Sequence, residues 1–445
     1  MILLCVCLFF EMGIGIGMSE ELDDEWNAFK RRFNKHYLDS DDELKHRKVF
    51  EKRLSRIKQM NETKLTKNVF GLTKFSDAFE TELPALRSLG HKFVRQVKLN
   101  KTLKGEVSTN IPDNYWSCDS SNDYCGQGID QGMCGSCYAA AIANDAQIRY
   151  NIIAKRLYLH NLDLKSLDLG YTKLDTPLSV QSLLDCGSLT GCAGGSSDST
   201  IMKARFLFRE EDYKYEVFNV SGNNKTECEM NIHECRMKDK QPFMRVEDLT
   251  YFSNLDWLTI KTLIYHKGSF ITSMYASDDF LKYYAGGIWT CDADGSVVVN
   301  HAVVVDGYGE EVTGGALKKF LWVRNSWGDD WGINGHFKID FDNSCGINDK
   351  IHLEDATEID NFVPDYVIDE KIIEEIYDDV AKRDNILLVL LIIISVIVVA
   401  IIVLICISMI IAIAVSIKMC KKNKDPYSLS EEEELRRDIT TIEML

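Results

Sequence analysis

Gln131-Gly132-Met133-Cys134-Gly135-Ser136-Cys137-Tyr138 runs directly into Ala139-Ala140-Ala141-Ile142. Gly135-Ser136 reads as a tight turn and the alanines as the start of a helix, so the Cys137 thiol falls at a helix N-terminus. A free thiol is mostly protonated at neutral pH. The helix dipole and a nearby imidazolium lower its pKa from about 8.5 into roughly the 3.5–7.5 range. Downstream come Asn300-His301-Ala302 and then Asn325-Ser326-Trp327-Gly328. Cys, His and Asn in this order are the parts of a cysteine-nucleophile acyl-transfer site. Each part alone is ambiguous. Cys134 to Cys137 is also C-x-x-C, a redox or zinc half-motif, but that reading predicts neither the Gln131 context nor the downstream motifs. A lone histidine is more often a core residue, and a lone asparagine a turn residue.

C-G-S-C-[WY] is a signature of one protease family. Over roughly residues 22–350 the chain resembles papain-like cysteine proteases of the cathepsin L group. The resemblance implies an α+β, two-lobed fold: a helical lobe carrying Cys137 and a β-barrel-like lobe carrying His301 and Asn325, with a cleft between. His301 is then proton acceptor from the thiol and general acid to the leaving amine. Asn325 holds the imidazole in its working tautomer. Gln131 and the Cys137 backbone N–H receive the oxyanion. Trp327 shields the Asn–His hydrogen bond and lines the substrate cleft. Gly194 and Gly195 present backbone groups to an extended peptide. No metal or organic cofactor is needed; the partners are protein or peptide substrates. Tyr138 stands where tryptophan is commoner, with a modest effect on packing expected.

Counting from Cys345, Lys350 falls where the family lines its second subsite. A lysine there favours an acidic side chain two residues before the scissile bond; the other reading is that Lys350 reaches solvent and the pocket stays apolar. Both stand.

Outward from the nucleophile, residues 18–110 hold no cysteine and show helical periodicity at Trp26, Phe29 and Phe33, then Phe50, Leu54 and Ile57. Glu43, Arg47, Val49, Phe50, Ile57 and Asn61 match the interspersed propeptide motif of cathepsin L-like enzymes, with Arg53 where asparagine is usual. Gly71 to Asp77 resembles the second propeptide motif, with Thr73 for asparagine. The segment is thus similar to an autoinhibitory prodomain that crosses the cleft and is later removed. Ile111 to Trp116 resembles the mature start, and the peptidase domain is taken as 111–355. Tyr150 to Thr176 and Glu310 to Lys318 read as insertions, the second as a loop.

Ten cysteines lie between Cys118 and Cys345. The resemblance pairs Cys134 with Cys192, Cys186 with Cys228 or Cys235, and Cys291 with Cys345. Cys118 and Cys125 stand outside the common set and are read as closing a small extra loop. With Cys137 as nucleophile, nine remain, so one of Cys228 and Cys235 is left over.

The chain has 445 residues and a net charge of −17, which disfavours a nucleic-acid partner. Residues 1–17 are apolar apart from Glu11 and read as a signal peptide. Asn61, Asn100, Asn219 and Asn224 then become candidate glycosylation sites. Residues 386–417 carry no charge and exceed the ~20 residues needed to span a bilayer. Lys418, Lys421, Lys422 and Lys424 follow, outnumbering Lys382 and Arg383 on the other flank. The expectation is a single-pass type I membrane protein: an acidic stalk over 356–385, a transmembrane helix over 386–417 and a cytoplasmic tail over 418–445. The peptidase domain then lies in a lysosome-like lumen or outside the cell. Cys420 suits palmitoylation. Glu431 to Glu434 is a sorting cluster or a solvated charge run. Two rivals stay open: an exopeptidase of the same family, and a catalytically weak surface binding protein.

Overall fold

The computed structural model describes residues 20–63, 69–86, 111–164, 173–216, 235–236, 240–246, 248–252, 255–291, 298–313, 315–347, 356–360 and 363–364. The signal-peptide reading, Asn100, Asn219, Asn224, Cys228, Lys350 and residues 365–445 lie outside them. Among the described residues no helix is long and apolar enough to cross a membrane.

The chain's N-terminal described segment opens with two helices, α1 (20–32) and α2 (Ser40–Glu62). Asp39 caps α2, its carboxylate accepting from the Asp41 and Asp42 amides at 2.9 Å each. Asp41, Asp42 and Glu43 fill the first turn, where the helix dipole favours negative charge. Phe50, Leu54 and Ile57 recur on one face of α2 and are buried. Phe50 and Leu54 meet Trp26, Phe29 and Phe33 in a small aromatic core. The motif residues tie the two helices together. Glu43 accepts from Trp26 Nε1 at 3.2 Å and Lys30 Nζ at 2.5 Å. Arg47 bridges Glu51 and Asp23.

The helical lobe consists of α3 (Cys137–Leu164), α4 (Val180–Gly187) and α5 (Ser197–Ala204). Residues 137–149 of α3 are buried on every side, and a run of alanines there lets neighbours approach closely. Cys134–Cys192 and Cys186–Cys235 staple this lobe. At Gly187 an added Cβ would lie 2.4 Å from the Thr200 carbonyl oxygen, so α4 and α5 touch only because no side chain stands between them. The segment Tyr150 to Thr176, read as an insertion, begins as a continuation of α3 to Leu164. It holds no Gly or Pro up to that point to stop the helix.

The strands are β1 (Val69–Phe70), β2 (Tyr115–Trp116), β3 (Phe206–Leu207), β4 (Met244–Arg245), β5 (Asp248–Phe252), β6 (Phe270–Met274), β7 (Tyr284–Gly286), β8 (Ile288–Trp289), β9 (His301–Thr313), β10 (Ala316–Arg324), β11 (His336–Asp340), β12 (Ala356–Asp360) and β13 (Val363–Pro364). The main sheet runs β5-β12-β6-β9-β10-β11-β8, with β2 also on β9. Helices α6 (Trp257–Lys267) and α7 (Asp278–Tyr283) complete this lobe. Phe280, Tyr284, Trp289, Trp327, Trp331 and Phe337 form its aromatic core.

Two expectations are corrected here. Glu310 to Lys318 is not a loop but the far end of a β9–β10 hairpin. Glu310 lies opposite Lys319 and Glu311 opposite Lys318, opposite charges that support the ladder. Gly315, at φ +80°, supplies the turn. The stalk does not begin at 356. Residues 356–360 pair antiparallel with β5 and β6, and β13 pairs with β4. Acidic composition suggested a linker, but backbone hydrogen bonding fills this slot whatever the side-chain charge.

Candidate active site

Cys137 is the first residue of α3. The turn before it is held from several sides. Gly135 N donates to Cys192 O at 3.0 Å, and the Ala139 and Ala140 amides donate to Ser136 O at 2.9 and 3.0 Å. Tyr215 OH donates to Gln131 O at 3.0 Å and lies 2.7 Å from Ser136 Oγ. The backbone amides of Ala302, Tyr138 and Cys137 point at the sulfur, which places it at the start of β9 beside His301.

His301 Nε2 donates to Asn325 Oδ1 at 2.7 Å. This fixes the tautomer: the proton sits on Nε2, and Nδ1 presents a lone pair with no hydrogen-bond partner among the described residues. Trp327 stacks on the imidazole, centroids 4.9 Å apart and planes 25° off parallel, and is fully buried. The stacked indole keeps water from the His301–Asn325 bond. Asn325 N donates to Gly335 O at 2.9 Å, so the asparagine is held by its own loop.

Gln131 is also fully buried. Its Nε2 donates to Cys134 O at 2.7 Å, and its Oε1 accepts from Ser326 Oγ at 2.6 Å. One Nε2 proton is left over. Gln131 N donates to Ser326 O at 2.8 Å, so the two loops are stitched together twice. Ser326 carries no sequence signal for this role, because its partner lies 195 positions away.

Gly194 sits at φ 100°, ψ 167°, a conformation open to glycine, and its carbonyl accepts from Thr190 Oγ1. At Gly195 an added Cβ would come within 2.7 Å of the Tyr138 ring. Tyr138 does more than fill space: its hydroxyl lies 2.6 Å from Ser188 Oγ and donates to Gly191 O at 2.8 Å. Cys291–Cys345 and Cys118–Cys125 are the remaining bridges among the described residues. Asn61, a candidate glycan acceptor, uses its side-chain nitrogen to donate to Phe70 O at 3.0 Å.

The N-terminal segment reaches the two lobes through residues 69–86. β1 pairs antiparallel with β7. Gly71 N donates to Tyr283 O, and Thr73 Oγ1 to Lys282 O, at 2.9 Å each. Lys74 Nζ bonds Asp130 at 2.6 Å, Asp330 at 2.9 Å and the Trp327 carbonyl at 3.0 Å. Phe75 packs edge-on against Trp327. Arg53, the departure from the motif, is buried and donates to Phe75 O and to Glu80. A cleft of about 790 Å³ follows this seam, lined by Lys35, His46, Lys74, Asp77, Asp130 and Met133 among others; its lining includes neither Cys137 nor His301.

Burial pushes the Cys137 thiol up to about 11, against the pull of three backbone amides. Burial pushes His301 down to about 4, although its bond to Asn325 acts the other way. The lowered thiol pKa expected from the sequence is corrected for this covered state: loss of water outweighs the amide donors and the helix end, and both groups are neutral. The sign of the pH effect follows. Where water reaches His301, its pKa returns toward the ordinary ~6.5. Between that value and 4 the covered state binds fewer protons than the uncovered one. Its relative stability therefore falls as pH drops through that window and is flat above it, by at most roughly 300-fold in the opening equilibrium. In Cys137→Ala, opening of the 20–86 segment measured by proteolytic nicking should rise from pH 7 to 4. A His301→Gln variant should show a shallower rise.

The model of papain family cysteine proteases matches residues 115–354, and that of the cathepsin propeptide inhibitor domain matches residues 26–83. Cathepsin J of Rattus norvegicus is 30% identical over 350 residues, covering 75% of this chain and 92% of its own length. A cathepsin L-like proteinase of Fasciola hepatica is 24% identical, covering 76% and 95%. The structure of digestive procathepsin L2 proteinase from Tenebrio molitor larval midgut superposes with a TM-score of 0.58 at 23% identity, covering 77% of this chain and 99% of that one.

Proposed function

Since this chain belongs to the papain family of cysteine proteases and carries a cathepsin propeptide inhibitor domain, we propose that it is a membrane-held endopeptidase made as a zymogen, with Cys137 as nucleophile. The observation that carries the reading is the Nε2–H tautomer of His301, fixed by Asn325 under Trp327, with its bare Nδ1 beside the strand start that contacts the Cys137 sulfur. Once the cleft opens, His301 takes the thiol proton and the thiolate attacks the carbonyl carbon. The spare Gln131 proton and the Cys137 amide receive the oxyanion. His301 then protonates the leaving amine, and water hydrolyses the acyl-enzyme.

An exopeptidase needs an element that blocks the cleft within a residue or two of the scissile bond. The unexplained segment after Tyr150 argues against serving that purpose. It continues α3 to Leu164, the end of a 28-residue helix that starts at Cys137, and so leaves about 40 Å along the helix. Its returning end is tied to the middle of that helix, Leu174 N donating to Asn151 Oδ1 at 2.8 Å. An internally quenched peptide blocked at both ends should therefore be cut. Cleavage only of substrates with a free terminus would support the exopeptidase instead. A surface binding protein on this fold would cut neither.

Gln131→Ala should lower kcat by about 10²–10³ with KM little changed, because the lost donor acts on the oxyanion and not on the bound substrate. An equal rise in KM would reassign Gln131 to substrate binding. The membrane reading rests on the charge-free run 386–417 and its basic flank. It places the peptidase in a lumen or at the cell surface. Truncation after residue 385 should move the protein from the membrane to the soluble fraction. A signal peptide over 1–17, glycans on the sequons and the Lys350 preference for acidic residues belong to the same reading. A peptide library with Lys350→Ala beside it tests the last.

A further inference from the structure

We propose that Cys118, Cys125, Asp306 and His336 form a closed binding site for a divalent metal of the zinc class, occupied when both thiols are reduced. The proposal is independent of the proteolytic reading. One ligand atom from each residue lies within 4.8 Å of all the others. Asp306 Oδ2 is 2.9 Å from Cys118 Sγ, 3.8 Å from Cys125 Sγ and 3.2 Å from His336 Nε2. Cys118 Sγ is 3.2 Å from His336 Nε2. A tetrahedral zinc, with bonds of about 2.0–2.3 Å, needs ligand edges of roughly 3.3–3.8 Å. Most of these gaps need open by only a few tenths of an ångström. The two sulfurs are joined in this structure. Bridge and metal are thus alternative occupants of one place. The chain is synthesised with both thiols free, so metal binding needs no reductant; the metal displaces the thiol protons.

The site is prepared on all sides. His336 Nδ1 donates to Asn334 O at 2.8 Å, which turns Nε2 toward the cluster, the usual support of a metal-binding imidazole. Asp306 is fully buried, and its Oδ1 finds no hydrogen-bond donor among the described residues. His336 Nε2 and the Asp306 Oδ2 oxygen, 3.2 Å apart, converge on the same place as the two sulfurs. Two thiolates, one carboxylate and a divalent ion sum to −1, and the buried guanidinium of Arg324 lies within the field of Asp306 to balance it. The cysteine loop is pinned by Ser117 N to Asp306 O at 3.0 Å and Tyr124 N to Ser117 O at 2.9 Å. Trp116 stands edge-on to the His336 ring and helps to exclude water. Thiolates with imidazole select zinc over calcium or magnesium, and four protein ligands leave no open position. Such an ion would fasten the loop after β2 to β9 and β11. Asp306 lies five residues past His301 on β9, at the bulge where Trp322 pairs with Gly307 and Val323 with Val305.

The test uses the full chain with Cys137→Ala, so that the nucleophile cannot compete for metal. A phosphine opens the 118–125 bridge, supplying two electrons and ending as its oxide with oxygen from water. Peptide mapping confirms that Cys134–Cys192, Cys186–Cys235 and Cys291–Cys345 stay closed. Cobalt(II) is then added, followed by zinc. The expected result is one cobalt per chain, with tetrahedral and thiolate charge-transfer bands. One equivalent of zinc displaces it, and Cys118 and Cys125 become protected from alkylation. His336→Phe and Asp306→Asn should each weaken binding by more than the ~10–100-fold typical of an outer-shell change. Where a variant misfolds, the alkylation pattern of the parent decides. Absence of the cobalt bands, or no protection of these two thiols, overturns the proposal. So does a bridge that resists every reduction leaving the other three closed; the cluster is then a His336–Asp306 pair beside a structural disulfide.

Discussion

Cys137→Ala should abolish peptide hydrolysis, with a fall in kcat on the order of 10⁶. In the proposed mechanism the sulfur is the atom that forms the acyl bond. Cys137 is the one free cysteine among the described residues. Residual rate above water would come from substrate positioning and the oxyanion donors around Gln131. The measurement is turnover of a quenched peptide at acid pH, beside labelling by an epoxide that traps active-site thiols. Wild type should label and lose its prodomain near Asn110 after acidification; Cys137→Ala should do neither. Retention of activity in the variant would remove Cys137 from the mechanism. Prodomain loss in the inactive variant would show that another protease performs the cut.

Phe75→Ala should release the zymogen at neutral pH. Phe75 is 7% exposed and sits between Trp327 and the prodomain helices, its carbonyl held by Arg53. Truncating a buried phenylalanine costs about 3–5 kcal/mol. Part of that falls on the prodomain's own fold, and the remainder weakens its grip. The opening equilibrium should rise on the order of 10²-fold, read as the rate at which a small alkylating reagent reaches Cys137 in the uncut chain. Leu38→Ala, at a side chain 94% exposed, serves as a control that should change nothing. An unchanged alkylation rate in Phe75→Ala would mean that this seam does not govern access to the nucleophile. Lys74, held by Asp130, Asp330 and the Trp327 carbonyl, would then be the next side chain to remove.

Much of the candidate site was legible because its parts are local words. A thiol after a tight turn and before alanines is a helix N-terminus in any context. Phe50, Leu54 and Ile57 declare a helix face through their spacing alone. Arg53 was visible as a departure, but its use was not: a guanidinium that crosses to the carbonyl of Phe75 depends on how two segments meet. Glu310 to Lys318 misled because glycine and charge read as loop. The pairing of Glu311 with Lys318 is a property of the hairpin and not of either residue. The thiol pKa misled for a different reason. Helix end and histidine are readable in sequence, while burial is not, and burial is the larger effect here.

By itself the sequence determined the family resemblance, the order of nucleophile, histidine and asparagine, the helical periodicity from Trp26 to Ile57 and the apolar run 386–417. These rest on spacing, covalent connectivity and composition, which survive without a fold. Only the tertiary structure decided that Ser326 holds Gln131, that Tyr138 lies under Gly195, and that Cys118, Cys125, Asp306 and His336 share one small volume. The last four are spread over more than two hundred residues. Their meeting is fixed by sheet register and by which face of β9 each side chain takes, and these are set only when the strands pair.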